Sequence, residues 1–425
     1  VRRLRALAPL LLLLLGVVAG CTGTTENVPP LLLAIGRQDP ANAAAYQMVL
    51  VEDNYTANQS TLRTLTIVAG SERPLPYPAI ASDVVDRAGA RTSMVVLTRD
   101  LAPGTDPPSA LVSFGLTGID PAAPTAFQEL STIPLTGAGG ALQAYAPLCL
   151  TGLTVSATGR YVTLLSDPRA CNDTSPSGYA QLFQLDTQTG SAQPVVPASG
   201  VQVTQSTVPF DDQQSTGETL SFLVSGTNNA QVYTDPVPHD ASLAAIAGTL
   251  PGQDQLALEG SGGVLAAATN PSPYTPNSYL QSYLQTVTPG LLTPAGTQVD
   301  TVFGATALAI DPSGATSQVV VAGYSSGGAG EIAVHPDPGT KATAFTPYVY
   351  GLTGVAAAID PVNRFAYVVD NERIVVLDLL TVASQQGIWY KSYPFSTAAD
   401  LPLPTDSYGR YVTTVQWARA KPTPP

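Results

Sequence analysis

The stretch Asp360-Pro-Val-Asn363, followed by Phe365-Ala-Tyr-Val-Val369, decides the fold. Asp at the first turn position hydrogen-bonds its own backbone. Pro presets φ at the second, and Asn or Gly accepts the left-handed conformation at the end. Apolar runs flank the turn, so the stretch reads as a β-hairpin. Working outward, Val355–Ile359 is the first strand of a unit and Phe365–Val369 the second. Arg373–Asp378 is the third and Gly387–Tyr393 the outermost.

The same phrase recurs along the chain. Asp86-Arg-Ala-Gly89 precedes Ser93–Leu97, Ser156-Ala-Thr-Gly159 precedes Tyr161–Leu165, and Glu259-Gly-Ser-Gly262 precedes Val264–Ala268. Asp311-Pro-Ser-Gly314 precedes Gln318–Val321, Asp406-Ser-Tyr-Gly409 precedes Tyr411–Val415, and a looser copy runs from Asp212 to Gly217. The turn ends fall at 89, 159, 217, 262, 314, 363 and 409, at intervals of 70, 58, 45, 52, 49 and 46 residues. Most sit near the 40–50 residues of a four-stranded propeller blade. No helical periodicity lasts ten residues after the N-terminal segment, which disfavours βαβ folds. The expected fold is all-β, a propeller of four-stranded antiparallel blades over 31–418. Seven turn phrases point to seven blades, with eight as the alternative if 31–70 forms a blade of its own. In the simpler closure, some of the N-terminal strands Leu31–Ile35, Tyr46–Val51 and Leu62–Val68 pair with the C-terminal hairpin and remove exposed edges. Residues 419–425 read as a disordered tail.

Tyr161-Val-Thr163, Tyr367-Val-Val-Asp-Asn371 and Tyr411-Val-Thr413 resemble the YVTN and lactonase-like β-propeller repeats of bacterial surface proteins. The resemblance covers most of 75–418. Pyrroloquinoline-type propellers carry a Trp near each blade end, whereas this chain has only Trp389 and Trp417.

The N-terminus carries a second signal. Arg2, Arg3 and Arg5 precede a leucine run from Leu10 to Leu15, which ends in Val18-Ala-Gly-Cys21. A basic start, a short apolar run and small residues make a secretory signal. The cysteine directly after them resembles a bacterial lipoprotein signal, which implies cleavage before Cys21 and lipid on its sulfur. The alternative is a transmembrane helix, but Ala6–Cys21 is shorter than the roughly 20 residues a span needs. The expected organisation is a signal at 1–20, a lipidated Cys21 with a tether at 21–30, and then the propeller. Thr22 rather than Asp after the cysteine leans toward the outer membrane if the cell has one. Val1 reads as the literal translation of a non-standard start codon. The expected location is the cell envelope, outside the cytoplasm.

Charge narrows the partners. Three of the 18 basic residues lie in the first 20, so the remainder carries 15 basic against 31 acidic residues, a balance of −16. Such a surface repels phosphate backbones and excludes nucleic acid as a partner. Charged residues make up 12%, with 37 Gly and 38 Pro, which fits many short strands joined by many turns. Cys149 and Cys171 are the only other cysteines, and an exported protein makes a disulfide between them the default.

The search for chemistry returns little. His239 and His335 each adjoin Pro or Asp and read as solvated turn residues. Gly323-Tyr-Ser-Ser-Gly327 matches G-x-S-x-G, yet a Gly-rich loop and a strand follow it rather than the required helix. No phosphate loop, dinucleotide fingerprint, EF-hand or zinc spacing is present, so no cofactor, metal or catalytic residue is expected. The Asp of each turn phrase reads as a turn cap on one face of the ring. The opposite face carries the longer loops between second and third strands. These hold Asp100, Asp106, Asp167, Arg169, Asn172, Asp173, Asn228, Asn229, Asn270, Tyr274, Tyr279, Asp370 and Glu372. Loops on a rigid scaffold are where binding residues concentrate. The expected role is therefore a membrane-anchored binding or scaffold module, for a protein or small-molecule ligand at the loop face. The alternative is a lactonase-like hydrolase with its site in the central channel.

Overall fold

Every turn phrase but the last sits between two antiparallel strands. The computed structural model describes residues 31–54, 64–87, 90–156, 158–171, 181–195, 210–211, 218–225, 229–239, 244–251, 254–261, 264–270, 279–285, 292–311, 318–324, 330–335, 343–345, 355–360, 365–379, 390–394 and 401–419. The first strands are β1 (Leu31–Asp39), β2 (Asn42–Asp53), β3 (Leu65–Ile67) and β4 (Arg73–Leu75). One blade follows from β5 (Ala79–Arg87), β6 (Ala90–Arg99), β7 (Ser109–Gly115) and β8 (Glu129–Pro134). The next holds β9 (Leu150–Val155), β10 (Tyr161–Ser166), β11 (Gln181–Asp186) and β12 (Ser191–Val195). Then come β13 (Phe210–Asp211), β14 (Glu218–Ser225), β15 (Asn229–Val237) and β16 (Ala244–Pro251), and after them β17 (Asp254–Ser261), β18 (Val264–Asn270), β19 (Tyr279–Gln285) and β20 (Leu292–Asp300). Further sheets hold β21 (Phe303–Asp311), β22 (Gln318–Tyr324), β23 (Gly330–His335) and β24 (Thr343–Phe345), and β25 (Ala356–Asp360), β26 (Phe365–Val369), β27 (Arg373–Asp378) and β28 (Tyr390–Pro394). The last strand is β29 (Val415–Arg419). Each set of four from β5 onward is an antiparallel meander, and the sheets form a β-propeller.

The closing sheet is different. Its order is β29-β1-β2-β3, with β4 also paired to β2, so it has five strands and joins the two ends of the described chain. Leu33 pairs with Trp417, and Ile35 with Val415.

Side chains alternate along β1 and serve two neighbours at once. Leu31, Leu33 and Ile35 pack with Phe365, Tyr367 and Val369 of the β25–β28 blade. Leu32 and Ala34 pack on the other side with Met94, Val96, Val112 and Phe114 of the β5–β8 blade. A blade held between neighbours buries both faces, which is why such strands are continuous apolar runs rather than alternating ones. Similar interfaces join β5–β8 to β9–β12 through Leu97, Leu111, Leu153 and Phe183, and β21–β24 to β25–β28 through Val320, Val334, Val368 and Leu377.

The expectation of seven, or eight, alike four-stranded blades is corrected. Five blades are described down to their packed side chains: the closing sheet, β5–β8, β9–β12, β21–β24 and β25–β28. The sheets β13–β16 and β17–β20 are described chiefly as backbone ladders. Counting turn phrases fails at its last member. Asp406–Gly409 closes a small hairpin with a Thr405–Tyr411 bridge, and β29 begins only at Val415. That hairpin belongs to the connection between β28 and β29, not to a blade. The eight-blade alternative fails because β1 pairs with β29 instead of starting a blade of its own.

Strand direction defines two faces. The turns after β5, β9, β17, β21 and β25 lie on one, here the hairpin face. Since β29 runs toward that face and β1 is antiparallel to it, Leu31 enters the ring there. The ends of β6, β10 and β26, and the segment 401–414, lie on the opposite, loop face. Asp406 therefore stands on the face opposite to the one expected of it.

Candidate functional site: the loop face

The loop between β6 and β7 shapes one part of this face. Asp100 accepts a hydrogen bond from the Ala102 amide (3.0 Å) at Oδ1, and its own amide donates to the Pro108 carbonyl (2.8 Å), which closes the loop on itself. Thr136 Oγ1 donates to the Pro107 carbonyl and pairs with Ser109 Oγ, both at 2.8 Å. Asp106 reaches out of the loop, and its Oδ1 accepts from the Leu148 amide (2.9 Å). The loop is thereby fastened to the segment that leads into β9.

Next along that segment is Cys149. A disulfide joins it to Cys171, with the Cα atoms 5.9 Å apart. The chain after β10 folds back: the Asp167 amide donates to the Cys149 carbonyl (2.8 Å), and a 3-10 turn at Pro168–Ala170 delivers Cys171. The Cys149 amide donates to Ser166 Oγ (2.9 Å). Both cysteines are buried, Cys149 at 1% exposure and Cys171 at 6%.

Arg99, the last residue of β6, reaches the same place. Its Nη1 donates to the Leu150 carbonyl (2.7 Å) and lies 3.1 Å from Cys149 Sγ. The side chain is buried and its Nε has no hydrogen-bond partner. Burial lowers its pKa to about 10, with Asp406 pulling it up and Arg410 pushing it further down. The guanidinium stays charged at neutral pH. Among the described residues it makes no ion pair within 4 Å.

The hairpin at 405–411 stands beside it. Asp406 Oδ1 accepts from the amides of Tyr408 and Arg410, each at 2.9 Å, and Oδ2 accepts from Arg410 Nε at 2.7 Å. Gly409 adopts φ +74°, a conformation only glycine takes without strain. The Arg410 guanidinium lies over the Tyr408 ring at 4.9 Å, and Tyr408 and Tyr411 are exposed. The hairpin is held from below. Leu401 and Leu403 enter the core, the Gln38 amide donates to the Pro402 carbonyl (2.7 Å), and Thr413 Oγ1 donates to the Gly36 carbonyl (2.6 Å).

In the turn between β26 and β27, Asp370 Oδ1 accepts from the amides of Glu372 (2.7 Å) and Arg373 (3.0 Å). Its Oδ2 is buried, 3.9 Å from Arg373 Nε and without a hydrogen bond. Burial raises the Asp370 pKa to about 6 against those two amides. Glu372 is exposed and pairs with Arg373 Nη2 at 2.9 Å.

The structure thus brings Asp106 and Asp167 to the disulfide, while Asp100 closes its own loop and Asp370 and Glu372 keep to their own turn. Asp167 is buried. Arg169 lies in the Pro168–Ala170 turn, and its side chain is outside the described residues. Asn229, Asn270 and Tyr279 are placed by their backbone at the ends of β15, β18 and β19. Asn172, Asp173, Asn228 and Tyr274 lie outside the described residues, as do Cys21, the segment before it and the tether. Sequence reading missed Arg99, Arg410, Tyr408 and Tyr411. The signal for Arg99 was a lone cation closing the apolar run that starts at Met94. His335 is also corrected. It is buried at the end of β23, with Nε2 3.0 Å from Thr301 Oγ1, and is not a solvated turn residue. Among the described residues, no group of three or more His, Cys, Asp or Glu is placed to hold a metal ion.

No protein-family model and no curated protein sequence matches the chain. Solved structures do. A Bacteroides fragilis protein described as a candidate 6-phosphogluconolactonase aligns over 92% of this chain and 98% of its own, with TM-score 0.52 and 13% identity. The periplasmic gluconolactonase of Pseudomonas aeruginosa aligns over 86% and 95%, with TM-score 0.49 and 14% identity. Apo AztD from Citrobacter koseri aligns over 91% and 98%, with TM-score 0.43 and 10% identity. At this identity the likeness is one of fold, the β-propeller.

Proposed function

We infer that the chain is a membrane-anchored, extracytoplasmic propeller that binds a protein or small-molecule ligand on its loop face. The observation that supports this most is the opposition of the two faces. Leu31, to which the signal-like segment and Cys21 lead, enters at the hairpin face. The fastened loops and the exposed Tyr408–Tyr411 hairpin stand on the other. A lipid on Cys21 then leaves the loop face turned away from the bilayer. Exposed aromatics beside an arginine are the residue types that anchor binding interfaces. The strongly acidic balance argues against attraction to an anionic surface.

Two measurements test the reading. Cys21→Ser should leave unprocessed precursor and abolish palmitate labelling; a labelled variant removes the anchor. A photo-crosslinker at Tyr411 should capture a ligand in cells, and one at Arg87 on the hairpin face should not. Equal capture at both positions removes the loop-face assignment. Turnover of a sugar lactone by the mature protein would replace this reading with the hydrolytic one.

A further inference from the structure

We propose that the Cys149–Cys171 disulfide is a thiol-exchange site with a fixed polarity, in which Cys171 is attacked and Cys149 leaves as a thiolate held by Arg99. The argument begins with access. Cys149 is 1% exposed and Cys171 is 6% exposed, at the edge of the loop that follows β10. An incoming thiolate must reach the sulfur along the S–S axis, and Cys171 is the more exposed residue of the two. The polarity also suits the leaving group, because exchange is faster when the departing sulfur is the better-stabilised thiolate.

Arg99 provides that stabilisation. Its Nη1 is 3.1 Å from Cys149 Sγ, and its charge is buried with no carboxylate within ion-pair distance among the described residues. In the disulfide the sulfur is neutral, so the guanidinium meets only a weak acceptor there. In the reduced state Cys149 becomes the missing counter-charge. A buried cation is disfavoured until it is paired, and breaking the disulfide supplies the partner. Burial alone raises a thiol pKa, and a hydrogen-bonded cation lowers it by more. Two of the carboxylates nearby are engaged elsewhere: Asp106 accepts from the Leu148 amide, and Asp406 binds Arg410.

The step balances with a dithiol reductant. One thiolate of the reductant attacks Cys171 Sγ, forming a mixed disulfide and expelling Cys149 as a thiolate beside Arg99. The second thiol of the reductant, as its thiolate, displaces Cys171. The reductant leaves as a disulfide, having given two electrons to the protein, and Cys171 takes a proton from solvent. The loop at 167–171 then keeps the bond from the Asp167 amide to the Cys149 carbonyl, just before β9.

The test uses the full chain, with peptide mass mapping to assign each modified sulfur. Treatment with glutathione followed by rapid alkylation should leave glutathione on Cys171 and the alkyl group on Cys149. The reverse assignment overturns the proposal. In Cys171→Ser, the pH midpoint for Cys149 alkylation should lie at least one unit below the ordinary thiol value of about 8.5. A midpoint at or above it overturns the proposal without any change at Arg99. Arg99→Gln in that background should raise the midpoint by at least a unit, and Arg99→Lys by less. In the chain with both cysteines, Arg99→Gln should slow reduction about three-fold to ten-fold, as expected for a poorer leaving thiolate. An unchanged rate counts against it. If Arg99→Gln does not fold, Arg99→Lys and the Cys171→Ser midpoint decide.

Discussion

The closing sheet draws its strands from residues 31–75 and 415–419, whereas the β9–β12 blade takes all four from 150–195. In the second, each strand meets a partner a few residues away. Hydrogen bonds at Ser156 and Thr187 tie off its turns, and a disulfide closes its entry. The closing sheet has no such local support for its β1–β29 ladder. It is held by what its strands bury on both sides. Gly36 shows how tight that fit is, since a Cβ there would sit 2.7 Å from Ala79 Cβ and 3.4 Å from Thr413 Oγ1. Local turn chemistry can build a blade, but ring closure must repay the entropy of joining distant segments through packing.

The largest expected effect follows from that. Trp417 packs in the cluster formed by β1 and the β25–β28 blade and pairs with Leu33. Trp417→Ala should destabilise the fold by about 3–5 kcal/mol. Denaturant unfolding checks the value, and native-state hydrogen exchange should show β1 and β29 opening before β9 and β10. If the β9–β12 blade opens first, the closing sheet is not the weaker region.

The opposite region gives the next effect. Removing the disulfide by Cys149→Ala with Cys171→Ala should lower stability by no more than about 3 kcal/mol, the loop-entropy value for the 22-residue separation. Proteolysis should appear first after Asp167, with the closing sheet still protected. A loss much larger than this would show that one bond supports the ring rather than a single loop.

A smaller effect isolates the seam between the closing sheet and its neighbour. Tyr367 Oη donates to Asp53 Oδ2 at 2.5 Å, and both residues are buried. Tyr367→Phe keeps the ring in the core and deletes only the donor. It should cost about 1–3 kcal/mol, the penalty for leaving a buried acceptor short of a partner. Asp53→Asn, measured alone and together with Tyr367→Phe, gives the coupling between the two. Additive losses would mean that the bond does not join the blades.

The same contrast explains what could be read from the sequence. The hairpin at Ser156–Gly159 was legible because a turn is set by four adjacent residues. The cysteine pair was legible from count alone, since two cysteines in an exported chain have only each other to pair with. The Asp406 phrase misled because turn chemistry is indifferent to what the turn connects. Its amide bonds to Asp406 are those of an ordinary turn, yet it joins two blades instead of two strands of one. The β1–β29 pairing carries no local mark, since it depends on segments about 380 residues apart finding shared neighbours. The lone cation Arg99 could be seen in the sequence but not its role, because its partners, Cys149 and Leu150, belong to the next blade.

The last and smallest prediction concerns Asp370, on the blade against which the closing sheet packs. Its Oδ1 is satisfied by two amides, but Oδ2 is buried without a hydrogen bond, and its pKa is raised to about 6. An unfolded aspartate titrates near 3.9. Between about pH 4 and 6 the folded state therefore holds a proton that the unfolded state has released. Stability falls with rising pH wherever the native state binds more protons, so this residue favours folding below about pH 4 and loses that contribution by about pH 6. Above pH 6 both states are ionised and the slope vanishes. Asp370→Asn keeps the oxygen that accepts from Glu372 and Arg373 and removes the titration. Subtracting the variant's unfolding free energy from that of the wild type at pH 4, 5, 6 and 7 cancels the other groups. The difference should decline up to about pH 6 and then level off. A flat difference across that range would mean that Asp370 is solvated in the folded ring. A rise would mean that Arg373, 3.9 Å away, pairs with the carboxylate strongly enough to offset its burial.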